Sequence, residues 1–265
     1  MTQRRGTEDQ DRAGLRLQVS DGVAVVTLDR PPVNALDRAL RAAIVSTFDA
    51  LSEREAVRCV VLTAAGRVFC AGADLKDRPD TSREGDFLGH NRITRETTNA
   101  IRECAKPVIA AVNGAALGAG LGLVAACDIL YASESASFAM PEIDVGLAGG
   151  AAMLKTLLGR STLRRMLMTG DRLSAQDMLR RNVLEEVVAA EQLLPVAMAA
   201  ARKIAAKAPL AVQYAKRSAN MVDVMPQRDA YRLEQEFTMA LSRTEDAREA
   251  RMAFLEKREP RFQGR

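Results

Sequence analysis

The chain has no tryptophan, one histidine and few other aromatic residues, and no long run of basic residues. Recognition of unpaired bases needs aromatic platforms, and phosphate backbones need clustered cations, so nucleic acid is not the expected partner. Lysines and arginines are interleaved with acids, and the net charge of +4 therefore reads as a solvated surface. There is no Cys-x-x-Cys pair, and His90 stands alone in Gly89-His-Asn-Arg, so no metal is expected. No serine sits in a G-x-S-x-G elbow and no G-x-G-x-x-G is present, which argues against triad hydrolysis and nicotinamide chemistry. Residues 1–14 lack an apolar core and read as a flexible tail instead of a secretory signal. Cys59, Cys70, Cys104 and Cys127 are widely spaced in largely apolar surroundings, as in a reduced compartment, and the cytoplasm is the expected location.

Hydrophobic residues make up 48% and charged residues 27% of 265, a balance that folds around a sizeable core. One domain with an appendage is the expected organisation. Pro107 to Cys127 carries no charge and contains G-x-x-x-G spacings, which raises a membrane span. Asn113 and four glycines interrupt it, so it reads as a buried strand, a turn and the start of a buried helix, with no membrane partner.

Leu15–Val19 alternates and Val23–Leu28 is β-branched, with Ser20-Asp-Gly22 between them, which predicts a hairpin. Asn34 is the expected cap of a helix carrying Leu36, Leu40, Ile44, Phe48 and Leu51 at helical spacing. A strand is expected at Cys59–Thr63, a mobile loop or frayed helix over 77–91, and a helix from Ile93 to before Pro107. Strands follow at Val108–Val112, Asp128–Ala132 and Ser137–Met140, around a helix over 118–126. Beyond Gly149 helices dominate and strands are expected to vanish, with Asn182 ending one helix and Ser242-x-x-Glu245 capping another. This order indicates a layered α/β core followed by helices of a kind used for oligomerisation.

Gly72-Ala73 and Gly118-Ala119-Gly120 are turns where a buried strand is expected to give way to a helix, and small residues there let a ligand approach the main chain. Backbone N–H groups so placed can hold a developing oxyanion. Tight packing of helix on sheet explains glycine spacing alone equally well.

Four ordered blocks carry a more specific signal: Phe69-Cys-Ala-Gly-Ala-Asp-Leu-Lys76, Pro107-Val-Ile-Ala-Ala-Val-Asn-Gly-Ala-Ala-Leu-Gly-Ala-Gly120, Cys127-Asp-Ile129 and Ser137-Phe-Ala-Met-Pro-Glu-Ile-Asp-Val-Gly146. They resemble the successive signatures of the enoyl-CoA hydratase/isomerase (crotonase) family. The resemblance extends from about Leu15 to Ala253-Phe-Leu-Glu-Lys-Arg-Glu-Pro260. It implies an α/β fold, a crotonase-like spiral of ββα units over 15–205 with a C-terminal helical trimerisation region over 206–265. It further implies a homotrimer or dimer of trimers, an acyl-CoA substrate and no separate cofactor. By position, the N–H groups of Ala73 and Ala119 would receive the thioester oxygen. Asp74, Leu75, Lys76, Phe254 and Lys257 would join them in substrate binding, Lys76 near the CoA phosphates or adenine and Lys257 toward a neighbouring subunit's CoA. The two lysines are equally compatible with solvated surface charge.

Family hydratases hold water between two glutamates. Glu142 matches the second, whereas the first falls on Gly122, which has no side chain. Two carboxylates can divide acid and base roles on one water, while one suits the movement of a proton from carbon to carbon. Single-glutamate relatives include Δ3,Δ2-enoyl-CoA isomerases, so isomerisation with Glu142 as proton shuttle is the expected activity. Hydration, thioester hydrolysis, decarboxylation and non-catalytic acyl-CoA binding remain as alternatives. The stretch Pro141-Glu-Ile-Asp-Val-Gly-Leu-Ala148 also resembles dienoyl-CoA isomerases, but the aspartates expected there fall on Gly122 and Gly150. Asp144 is either a strand neighbour sharing the face of Glu142 or the cap of the following turn.

Overall fold

The computed structural model describes residues 10–265. The expected tail over 1–14 therefore lies largely outside the described residues, but its end, Gln10–Arg12, is a strand, β1. It pairs antiparallel with β2 (Leu15–Ser20), which forms the expected hairpin with β3 (Val23–Leu28). Asp21 and Gly22 take φ of 50° and 78°, as a two-residue hairpin turn of this hand requires.

Helix α1 (Arg38–Glu53) follows, capped by Asp37, whose carboxylate accepts from Leu40 N at 2.8 Å. Asn34 is not the cap. It is buried, accepts from Arg30 N at 2.8 Å and donates to Ala65 O and Val68 O at 2.9 and 2.8 Å, stitching two loops together.

From there the chain spirals. Strands β4 (Cys59–Ala64), β6 (Val108–Val112), β8 (Ile129–Ser133) and β11 (Glu186–Val188) join one sheet, in the order β1-β2-β3-β4-β6-β8-β11. Strands β5 (Val68–Cys70), β7 (Ala115–Leu117), β9 (Ser137–Ala139) and β10 (Leu173–Ser174) form a second sheet in the order β10-β9-β7-β5. After the first hairpin, the pairs β4–β5, β6–β7 and β8–β9 each give one strand to each sheet, and α2 (Asp86–Glu103) and α3 (Ala119–Ala125) return the chain after the first two. This is the crotonase-like architecture, with repeated ββα units and a C-terminal helical bundle. The expectation that strands end near Gly149 is corrected by β10 and β11. Both are too short to show a period, and their neighbours decide their conformation.

The continuous apolar runs have a direct cause. Val60 and Leu62 face the core between the sheets, while Cys59 and Val61 face a second core closed by α7 (Ala190–Ala205) through Leu193, Ala197, Ala201 and Ala205. A parallel strand covered on both faces has no polar side to show. Beyond α7 come α8 (Pro209–Val222), α9 (Gln227–Leu241) and α10 (Glu245–Glu256). Thr244, not Ser242, caps α10 by accepting from Ala247 N at 3.1 Å. Among the described residues no helix is long and apolar enough to cross a membrane.

Candidate active site

Strands β5, β7 and β9 run parallel, Val68 beside Ala115 beside Ser137 with an irregularity between Val68 and Cys70, so their carboxyl ends deliver three turns to one edge. These are Ala71-Gly72-Ala73, Gly118-Ala119 and Met140-Pro141-Glu142. Ligand sites gather at such ends because the loops there leave the sheet free of ladder constraints.

The first turn leads into a parallel bridge with Leu36, not into the expected helix, and this bridge pins it from behind. Ala71 N donates to Val33 O at 3.0 Å, Leu36 N to Gly72 O at 2.8 Å and Asp74 N to Leu36 O at 3.0 Å. In this parallel bridge the groups on either side of Ala73 point at Leu36, so the Ala73 N–H itself points the other way. Gly72 has φ +95°, and a Cβ there would stand 2.9 Å from Leu117 O and 3.5 Å from Ala119 N. The two turns are therefore in contact, and a side chain would wedge them apart. Ala119 opens α3, where its N–H has no intrahelical acceptor.

Glu142 closes the group. A Cβ on Gly118, at φ +53°, would collide with Glu142 Oε1, which places the carboxylate against the second turn. Glu142 is half-buried and its Oε2 is buried without a hydrogen-bond partner among the described residues. Burial raises its pKa above the ordinary carboxylate value, and its own backbone N–H offsets this only in part.

Residues 141–145 form a 3-10 turn, not a strand. Side chains two apart on such a turn diverge, so Asp144 does not share the face of Glu142. Its carboxylate lies instead beside Gly170, the residue that ends α5 (Arg160–Thr169).

At Gly122 the direction a side chain would take is filled. Met153 Cε and Sδ lie 3.1 Å from a Cβ built there, and Thr98 Cγ2 lies 3.6 Å away. Met153 comes from α4 (Ala151–Leu154), a one-turn helix whose four residues carry no legible period. A Cβ on the nearby Gly150, at φ +83°, would collide with Met140 Cε. Met153 is a wall residue that sequence reasoning missed, and no motif marks it, whereas Met140 lies within the fourth motif block without a role read from it. Thr98 lies on α2, which starts at Asp86, several residues before the expected Ile93, because Arg38 grips the Asp86 carboxylate at 2.7 and 2.8 Å. His90 accordingly lies in a helix, not in a loop.

The remaining expected site residues are more dispersed. The pKa of Asp74 is lowered by the hydrogen bond from Lys76 N and by Arg30, the latter at 2.8 Å, and its carboxylate ties the turn to the framework. Leu75, 62% exposed, and Lys76 face solvent. Phe254 is 83% exposed on α10, and Lys257 ends that helix in the left-handed conformation. Among the described residues no hydrogen bond or ion pair links α10 to Ala73, Ala119 or Glu142. The cysteines are free and buried, and burial pushes the Cys70 thiol up to about 11, which keeps it protonated. No group of three or more metal-ligating side chains occurs among the described residues.

Two glycine turns, a buried carboxylate and a spiral of ββα units define an acyl-CoA-processing class of enzyme, and comparison with known proteins agrees. The enoyl-CoA hydratase/isomerase family pattern matches residues 18–265. The (7aS)-7a-methyl-1,5-dioxo-2,3,5,6,7,7a-hexahydro-1H-indene-carboxyl-CoA hydrolase of Mycobacterium tuberculosis is 37% identical over 89% of this chain and 96% of its own. The 2,3-dehydroadipyl-CoA hydratase of Escherichia coli is 35% identical over 92% and 96%. The crystal structure of an enoyl-CoA hydratase from Mycobacterium smegmatis superposes with a TM-score of 0.89 at 35% identity, covering 94% and 98%. The chain belongs to the enoyl-CoA hydratase/isomerase family.

Proposed function

We propose that this enzyme isomerises an enoyl-CoA by moving one proton from carbon to carbon, with Glu142 as the shuttle and the N–H groups of Ala73 and Ala119 as the oxyanion hole. The solitary carboxylate carries the reading. Glu142 sits against the second glycine turn with an unpartnered oxygen, while the space over Gly122 holds the thioether of Met153. A hydratase needs a second carboxylate to orient its water, and the wall at Gly122 supplies none.

The thioester oxygen lies between the two amides, and Glu142 removes the C2 proton of a 3-enoyl thioester. The C–H electrons pass to the carbonyl oxygen as the enolate forms. Collapse of the enolate shifts the double bond to C2–C3, and C4 takes the proton back from Glu142. Each oxyanion donor of this kind is worth about 3 kcal/mol in the transition state. Lys76, Leu75, Phe254 and Lys257 are the proposed CoA contacts, the last two across a trimer interface, and the Asp74 carboxylate supports the first turn from behind.

Hydrolysis is the second reading, favoured by two relatives, 37% and 36% identical, that are named hydrolases. One experiment separates the readings: purified enzyme is given 3-enoyl-, 2-enoyl- and oxo-acyl-CoA and the products are identified. A shifted double bond is expected, and a hydrolysed or hydrated product as the main outcome overturns isomerisation. Glu142→Gln is expected to lower turnover by about 10²- to 10⁴-fold with acyl-CoA affinity nearly unchanged. Unchanged turnover removes Glu142 from the mechanism.

A further inference from the structure

Arg41 is a buried cation with no direct ion-pair partner among the described residues. It lies on the buried side of α1 beside Leu40 and Ile44, 2% exposed, and its Nε is buried without a hydrogen-bond partner among the described residues. The acids around it are committed elsewhere. Asp37 accepts from Leu40 N and pairs with Arg30 at 3.0 Å, Asp77 pairs with Arg38 at 3.5 Å, and both oxygens of Asp86 are taken by Arg38. Burial pulls the pKa of Arg41 below its ordinary value, and Cys70, Asp77 and Asp37 offset this only in part. A buried charge left in this state opposes folding, and its usual remedy is an acceptor brought from outside.

Two more orphaned atoms lie nearby. His90 Nδ1 and Thr94 Oγ1, one turn apart on α2, are buried without partners, and His90 lies within the field of Arg41 and Arg38. One turn further, Thr98 touches the space over Gly122 at the candidate active site. His90, Thr94 and Thr98 thus form a stripe along α2, about 12 Å long at 1.5 Å per residue, from the catalytic wall toward Arg41. Arg41 also lies within electrostatic reach of Cys70, which leads into the Gly72-Ala73 turn.

We infer that Arg41, with His90 and Thr94, forms a subsite for an oxygen acceptor, a carboxylate or a keto oxygen, at the far end of a medium-length acyl group. A plain hydrocarbon chain would leave all three groups unsatisfied, whereas an acceptor would satisfy the donors and neutralise or solvate the guanidinium. The inference rests on the acyl-CoA reading above and adds that the substrate is polar at its distal end.

The test compares binding of three thioesters of equal length, hexanoyl-CoA, 5-oxohexanoyl-CoA and adipyl-CoA, to wild type and to Arg41→Met by calorimetry. Wild type is expected to bind one of the oxygenated ligands at least about tenfold more tightly than hexanoyl-CoA, the better one telling ketone from carboxylate. In Arg41→Met that preference should vanish, hexanoyl-CoA affinity should stay within about twofold, and the ligand-free protein should melt at a higher temperature. Equal binding of all three by wild type, or a preference that survives in Arg41→Met, overturns the subsite. A variant that melts lower and loses all three ligands alike marks Arg41 as framework and also overturns it. Should that variant not fold, His90→Phe with Thr94→Val provides the same comparison, and an undiminished preference counts against the proposal. If wild type binds none of the three, the acyl-CoA reading itself falls.

Discussion

A carboxylate takes a proton from carbon best when it is poorly solvated, and the surroundings of Glu142, half-buried with Oε2 unpartnered, desolvate it. Its pKa is raised by burial, so the rate of a reaction that uses it as base should climb with pH through a value above 4.5. The same shift acts on stability with a definite sign. As pH rises past 4.5 the unfolded chain releases this proton first, so the folded state loses stability until its own raised pKa is passed, and does not regain it above. Glu142→Gln removes the effect: its melting temperature should equal that of wild type at pH 4 and be the higher of the two at pH 8. A wild type that is the more stable at pH 8 would contradict a desolvated carboxylate. Gly118→Ala tests the same contact from the other side. The new Cβ meets Glu142 Oε1 on a backbone at φ +53°, so about 1–2 kcal/mol of stability and most of the activity should be lost, read by denaturant titration and turnover.

Elements here are positioned by a few polar ties across apolar packing. Helix α8 is fastened to the core by Lys216, whose buried ammonium lies 2.8 Å from Asp128 and donates to Lys106 O at 3.1 Å. Asp128 in turn accepts from Val108 N at 2.7 Å, so a single charge pair joins α8, β6 and the turn before β8. Removing one partner strands the other in a low-dielectric setting, a loss of about 3–5 kcal/mol. Asp128→Asn should therefore lower the urea midpoint sharply, whereas Lys216→Met with Asp128→Leu should recover much of the loss. If the single variant unfolds at the wild-type midpoint, the pair contributes nothing. Helix α9 is held on α8 differently, by an edge-to-face pair of Tyr214 and Phe237 with centroids 5.0 Å apart and by Arg217 over the Phe237 ring.

At the scale of the whole molecule, the C-terminal region exposes a series of large apolar side chains. Phe254 is 83% exposed, Val224 81%, and Leu255, Tyr231 and Met239 are also exposed. The proposed trimer would cover these side chains and bring Phe254 and Lys257 to a neighbour's substrate. Sedimentation should then give a species of three or six times 28.7 kDa, and Phe254→Asp with Leu255→Asp should shift it toward the monomer and weaken acyl-CoA binding. A wild-type monomer at micromolar concentration would overturn the assembly.

Much of this protein is legible in its sequence because local rules and tertiary context agree. The hairpin at Asp21-Gly22, the doubly apolar strands and α1 all follow from turn chemistry and period, and the four motif blocks point to the family. Other features depend on partners distant in the chain. Asn34 looks like a cap but is claimed by the carbonyls of Ala65 and Val68, leaving the cap to Asp37. Strands β10 and β11 exist because longer neighbours pair with them, and α2 starts early because Arg38 holds Asp86. At the site, the sequence names the glycines and Glu142, while the wall at Met153, the orphaned Arg41 and the diverging Asp144 emerge only once the spiral is closed. A motif records which backbone positions must stay small, but desolvation and unpaired charge belong to volumes enclosed by residues far apart in sequence.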